Sequence, residues 1–152
     1  MKLKKYKLIL ILAIAAFAIS PAYSYVEVKI KPTQKITTAN PNLQEGDIVN
    51  FVIEKDVFVN NKITIKKDSP VKGLITYIEP NEFGGQNAKI TIEQFETVDV
   101  NNKKIKLTGS VFRNGNAHAG VLEFISIELI RGGEVQISPR KDSFKLFLKE
   151  NI

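Results

Sequence analysis

The chain has 152 residues, with 22 Lys and Arg against 16 Asp and Glu, a formal charge of +6. Four of those lysines (Lys2, Lys4, Lys5, Lys7) stand before Ser24, where no acid does; residues 25–152 keep 18 basic against 16 acidic side chains, or +2, too little for a strong basic field toward nucleic acid or an anionic surface. Cys is absent and His118 is the only imidazole, which excludes disulfides, thiolate metal sites, a Cys nucleophile and a lipid-modified amino-terminal Cys.

Residues 1–24 read as a secretory signal. A basic start is followed by 12 apolar residues, Leu8 to Ile19; Pro21 ends the run, and Ala22 and Ser24 supply small residues for cleavage between Ser24 and Tyr25. A spanning helix needs about 20 apolar residues, so an uncleaved anchor is the lesser reading. The expectation is an exported chain, periplasmic or at the cell surface, with no transmembrane segment after cleavage.

From Tyr25 onward the hydrophobic period is two. Val26, Val28 and Ile30 alternate with Glu27, Lys29 and Lys31, the pattern of a strand with one solvated face. Pro32 to Asn42 is polar and contains two prolines, so residues 33–42 read as a crossing loop or linker. Val49, Phe51 and Ile53 share a face in the next strand; Val57 and Val59 continue to Asn60-Asn61, which turns the chain into Ile63 and Ile65. Lys67-Asp68-Ser69-Pro70 is a turn, and Val71 to Ile78 is a strand with Gly73 as a bulge or close backbone approach. Pro80 to Ala88, with Gly84-Gly85, is an open loop; Lys89 to Val100 is a strand, and Asn101-Asn102 turns it into Ile105 and Leu107. Arg113 to Gly120 reads as a second loop. Val121 to Ile130 fits neither helical nor strand period cleanly, and its β-branched residues favour strand, with Arg131-Gly132-Gly133 as a hairpin turn toward Val135 and Ile137. Phe144, Leu146 and Leu148 form a last strand. The expected architecture is all-β: one domain over residues 25–152, a small β-barrel or β-sandwich of eight to ten short strands.

Two segments share a design. Ile63 and Ile65 lead through Lys67-Asp68-Ser69 to Val71 and Gly73; Val135 and Ile137 lead through Lys141-Asp142-Ser143 to Phe144 and Leu146. The pattern resembles the strand–I-P-A-G-T–strand corner repeated in bacterial envelope β-modules such as the C-terminal barrel of the TrbI-type scaffold of type IV secretion and conjugation channels. Gly84-Gly85 and the hairpin from Asn101 to Leu107 hold the places of that family's Gly-rich loop and following hairpin. The similarity runs from Gly46 to Gly109 with an echo over Gly132 to Leu148. Asp68 and Asp142 stand where the family's corner has glycine, and there is no room for its cytoplasmic head, membrane helix, stalk or pore helices. What the resemblance implies is a shared small β-unit.

Sites of chemistry are sparse. His118 has no second His or Cys to complete a metal shell, no Ser sits in a nucleophile elbow, and the residue reads as a solvated loop position. Glu54, Asp56, Glu79, Glu82, Glu93, Glu96 and Asp99 alternate with apolar residues as a solvated face requires, whereas a glycosidase needs two carboxylates facing across a cleft. Asp99 to Asn102 lacks the glycine and terminal glutamate of a calcium loop. Lys103, Lys104 and Lys106 form a basic patch without interleaved aromatics, better suited to discouraging edge-to-edge strand pairing than to nucleic acid. Phe83 in the Gly-bearing loop either folds back as a lid on the barrel end or contacts a partner, and Phe112 with Arg113 poses the same question in the second loop; Phe83, Phe112 and Arg113 are the candidate partner contacts. No enzyme, cofactor, metal or nucleic-acid partner is expected. The leading expectation is a cell-envelope module that binds an envelope protein or surface complex. A small barrel holding an apolar or glycan ligand is the alternative, and a carbohydrate-active enzyme stands third.

Overall fold

The structure, a computed structural model, describes residues 23–115 and 131–151. The signal segment as far as residue 22, His118 and the ambiguous stretch from Val121 to Ile130 lie outside the described residues. In chain order the strands are β1 (Tyr23–Pro32), β2 (Ile36–Thr37), β3 (Ile48–Ile53), β4 (Val57–Val59), β5 (Lys62–Ile65), β6 (Pro70–Glu79), β7 (Lys89–Val98), β8 (Lys104–Leu107), β9 (Val111–Asn114), β10 (Gln136–Ile137) and β11 (Phe144–Asn151). Among the described residues no helix is long and apolar enough to cross a membrane.

The main sheet is antiparallel in the order β11-β1-β3-β6-β7-β8. β7 is shared lengthwise: Phe95 to Val98 pair with β8, and Lys89 to Ile92 pair with β9. Between β8 and β9, Thr108 exchanges both backbone hydrogen bonds with Phe147 of β11, at 2.7 and 2.8 Å. That bridge brings the last strand back to the first and nearly closes the sheet. The result is a small barrel, which removes most of the unpaired edge an open sheet would expose. The short pairs β4–β5 and β2–β10 are added to it.

The inward residues are those the alternation selects. Val28, Ile30, Phe51, Ile53, Val71, Ile75, Ile90, Ile92, Leu146 and Leu148 are buried in one core. Phe51 sits at its centre, edge to face with Phe95 (centroids 5.7 Å apart) and Phe144 (6.2 Å), the arrangement aromatic quadrupoles prefer. Gly73 faces Phe95: a Cβ there would stand 2.6 Å from Phe95 Cε1 and 2.8 Å from Ile92 Cγ2. Close approach is therefore the use of this glycine. The bulge lies opposite, in β7, where Gln94 takes φ 53° as the register slips between the Lys72–Glu96 and Leu74–Glu93 pairs.

Asn60 and Asn61 both hold positive φ (49° and 61°) in the β4–β5 hairpin, as two-residue turns demand. The described residues form eleven strands, and residues 33–42 are more than a crossing loop. Ile36 is buried and pairs with Ile137, so the segment straps β2 to β10. Phe112 and Arg113, expected in a loop, lie on β9. A four-residue strand with one inward side chain, Val111, is too short for alternation to reveal.

Candidate functional site

One end of the barrel gathers the loop from Asn81 to Asn87, the outer halves of β6 and β7, and β9. The loop is an exposed excursion with a fixed backbone. Glu82 N–H donates to Gln86 O (3.0 Å), Gly132 N–H to Glu82 O (3.0 Å), Gly133 N–H to Asn87 Oδ1 (2.8 Å) and Ala88 N–H to Gly133 O (3.0 Å). The buried Asn81 donates its amide to Gly132 O at 2.6 Å. A side chain at Gly132 would collide with the backbone of Gln86. Arg131-Gly132-Gly133, expected as a hairpin turn, thus spends its backbone bonds on this loop, and its glycines serve close packing.

Phe83 is carried on that stapled loop, paired through its backbone with Arg131, and its side chain is 71% exposed. An apolar ring held out by a rigid backbone has lost little ordering entropy still to pay on contact. Phe112 is 56% exposed on the outer face of β9. It faces Thr91 of β7, and Thr91 in turn faces Tyr77 of β6, so a row Tyr77–Thr91–Phe112 crosses three strands. Tyr77 was not among the sequence candidates for a physical reason. Val71, Gly73 and Ile75 all point inward, and a period of two would send Tyr77 inward as well. The register slip between Ile75 and Tyr77 adds one residue on β6, turning Tyr77 out and setting Ile78 against the core. No glycine marks that slip.

Arg113 is placed differently from Phe112. Its guanidinium donates to Asp142 Oδ1 at 3.1 Å and lies 4.9 Å from the Phe144 ring centroid, with Asp142 mostly buried. It ties β9 to the corner before β11. The structure therefore joins Phe112 to Tyr77 on the outer wall and assigns the Arg113 side chain to holding two strands together.

Beside the aromatic row, Glu79 accepts from Lys89 Nζ (2.9 Å), from the Tyr77 hydroxyl (2.9 Å) and from the Gln86 side chain. The Lys89 hydrogen bond, then that of Tyr77, holds the Glu79 carboxyl below its ordinary value; the carboxylate in return raises Lys89 and Tyr77 above theirs. Through Glu79 this network links the Tyr77 hydroxyl to Gln86 of the loop.

Four of the other carboxylates named above have hydrogen-bond partners. Glu54 accepts from Ser143 Oγ, Asp56 from Lys67 N–H, and Glu93 from Thr76 Oγ1; Asp99 Oδ1 accepts from Asn101 and Lys103 N–H, each at 2.8 Å. Glu96 stands in a row between Lys72 and Lys106. Among the described residues no group of three or more His, Cys, Asp or Glu could hold a metal ion. The predicted cleavage point sits within a paired strand: Ser24 faces Glu150 and Tyr25 faces Lys149. No protein-family model matches this chain, and neither a curated protein nor a solved structure is detectably similar to it.

Proposed function

We propose that this is an exported, non-catalytic β-module of the bacterial cell envelope that binds an envelope protein through the end bearing Phe83, Tyr77 and Phe112. The observation that carries the reading is the presentation of those rings: Phe83 on a backbone-stapled loop, and Tyr77 and Phe112 in one row on the outer wall. Exposed aromatic groups on rigid supports suit a protein interface, where aromatic anchors contribute most of the energy. The amino-terminal signal pattern supports export to the periplasm or cell surface. The likeness to the TrbI-type β-unit remains part of the proposal; Asp68, at φ 63°, occupies a conformation that suits the glycine of that family's corner.

The test is the native mass of the protein in a gently solubilised envelope fraction, set against the purified chain. A mass well above that of one chain, reduced to it by Phe83→Ser with Phe112→Ser, is expected. An unchanged single-chain mass in the envelope fraction would remove the reading. The alternative, a barrel with an interior ligand, meets Phe51, Phe95 and Phe144 packed edge to face along its core. A thermal-shift screen against apolar and glycan ligands tests it directly.

A further inference from the structure

The opposite end of the barrel has a composition of its own. Tyr23 opens β1 and faces Asn151 at the end of β11. Four residues along each strand from the antiparallel Thr108–Phe147 bridge, Lys104 comes level with Asn151, so the turn from β7 to β8 lies at this end too. The β4–β5 hairpin joins it there: Val100 N–H donates to Thr64 O at 3.0 Å. Val57 and Ile65 of that hairpin are buried in the core, which leaves Phe58 and Ile63, a cross-strand pair, facing outward. Phe58, Ile63, Val100 and Tyr25, all of which remain after cleavage at Ser24, are exposed.

Lysines are interleaved with these apolar side chains along the same segments. Segments 55–68 and 99–104 hold Lys55, Lys62, Lys66, Lys67, Lys103 and Lys104 against Asp56, Asp68 and Asp99, a surplus of +3. Since residues 25–152 sum to +2, all the rest of them together carry −1. The modest overall charge thus conceals a polar distribution. Asp56 and Asp99 are turned back onto backbone N–H groups, whereas all six lysines are exposed, and none is in a salt bridge among the described residues. The chain that precedes Tyr23, with its basic start and apolar run from Leu8 to Ile19, also joins the barrel at this end. On the export reading, which this inference shares, that end carries the leader until it is cleaved.

We infer that this end rests on an anionic phospholipid surface. Phe58, Ile63 and Val100 enter the headgroup region, and Lys62, Lys103 and Lys104 meet the lipid phosphates. Exposed aromatic and aliphatic groups interleaved with lysine are what a bilayer interface accepts, apolar burial and attraction to anionic lipid adding together. The opposite end is then held away from the membrane, open to a protein partner.

The absence of cysteine allows a direct test with the full chain. Val100→Cys and Glu82→Cys variants, each carrying one environment-sensitive dye, are mixed with vesicles of phosphatidylglycerol and phosphatidylethanolamine, or of phosphatidylcholine alone. The expected result is a blue shift at position 100 on the anionic vesicles, little on neutral ones and none at position 82. Lys62→Glu with Lys103→Glu should raise the lipid concentration needed by at least about tenfold. Equal shifts on both vesicle types, equal shifts at both positions, or no shift at position 100 would each overturn the inference. None of these outcomes alters the native-mass result, so the partner reading stands or falls separately.

Discussion

At the first Lys-Asp-Ser corner, between β5 and β6, Asp68 holds a left-handed backbone (φ 63°) and donates its N–H to Ile53 O at 2.8 Å, while its carboxylate points to solvent. The carboxylate that braces this corner belongs to Asp56, which accepts from Lys67 N–H at 2.7 Å. At the second, between β10 and β11, the Asp142 side chain does the bracing. Its Oδ2 accepts from Ser138 N–H at 2.7 Å and its Oδ1 from Arg113 at 3.1 Å. One tripeptide thus reverses the chain twice, first through its backbone conformation and then through its side chain. The reason lies outside the tripeptide. β9 brings a guanidinium to the second corner, and the residues before β4 bring another carboxylate to the first.

Replacing each aspartate by glycine separates the two uses. Asp142→Gly removes two charge-assisted hydrogen bonds, one of them to a half-exposed guanidinium, and should cost about 2 to 3 kcal/mol, read as a lower midpoint in urea unfolding. Asp68→Gly relieves a left-handed conformation that a Cβ disfavours and should raise stability by up to about 1 kcal/mol, the opposite sign. Losses of equal size at both positions would mean that the corners work alike.

A smaller effect concerns the end of the barrel that the second corner shares with the aromatic row. The folded-state pKa of Glu79 lies below its unfolded value, so its contribution is complete above the unfolded value, 4.5, and disappears as pH falls through the folded one. Glu79 is half-buried, but its partners Lys89 and Tyr77 stand open to solvent, so the effect is modest. Acid titration of stability should show a gap between the wild type and Glu79→Gln at neutral pH that closes below about pH 4.5. A gap that persists at pH 3 would place the role of Glu79 elsewhere.

What the sequence could show was set by the length of the repeats. Strands such as β1, β3, β7 and β11 carry two or more inward apolar residues at spacing two, and Asn60-Asn61 is a turn by its own chemistry, so the all-β class was legible; barrel against sandwich was not, because both give the same alternation. β2 and β9 each offer one inward apolar residue, Ile36 or Val111, and one residue has no period. The slips at Gln94 and after Ile75 change the facing of residues without changing their type. The aromatic Phe83 could be seen as exposed because it stands among polar residues in a loop. Tyr77 could not, because an unmarked bulge decides its direction. Arg113 reads as a loop contact beside Phe112, and its bond to Asp142, 29 residues away, has no mark in the sequence.

The central claim is that the end bearing Phe83 and Phe112 meets a protein. Photo-crosslinking residues placed singly at positions 83, 112 and 147 of the full chain, in intact envelopes, test it most directly. Phe147 is also aromatic and exposed, though less so at 40%, and lies on β11. The account predicts one discrete heavier adduct from positions 83 and 112 and none from 147. Adducts of the same mass from all three positions, or from 147 alone, would contradict it.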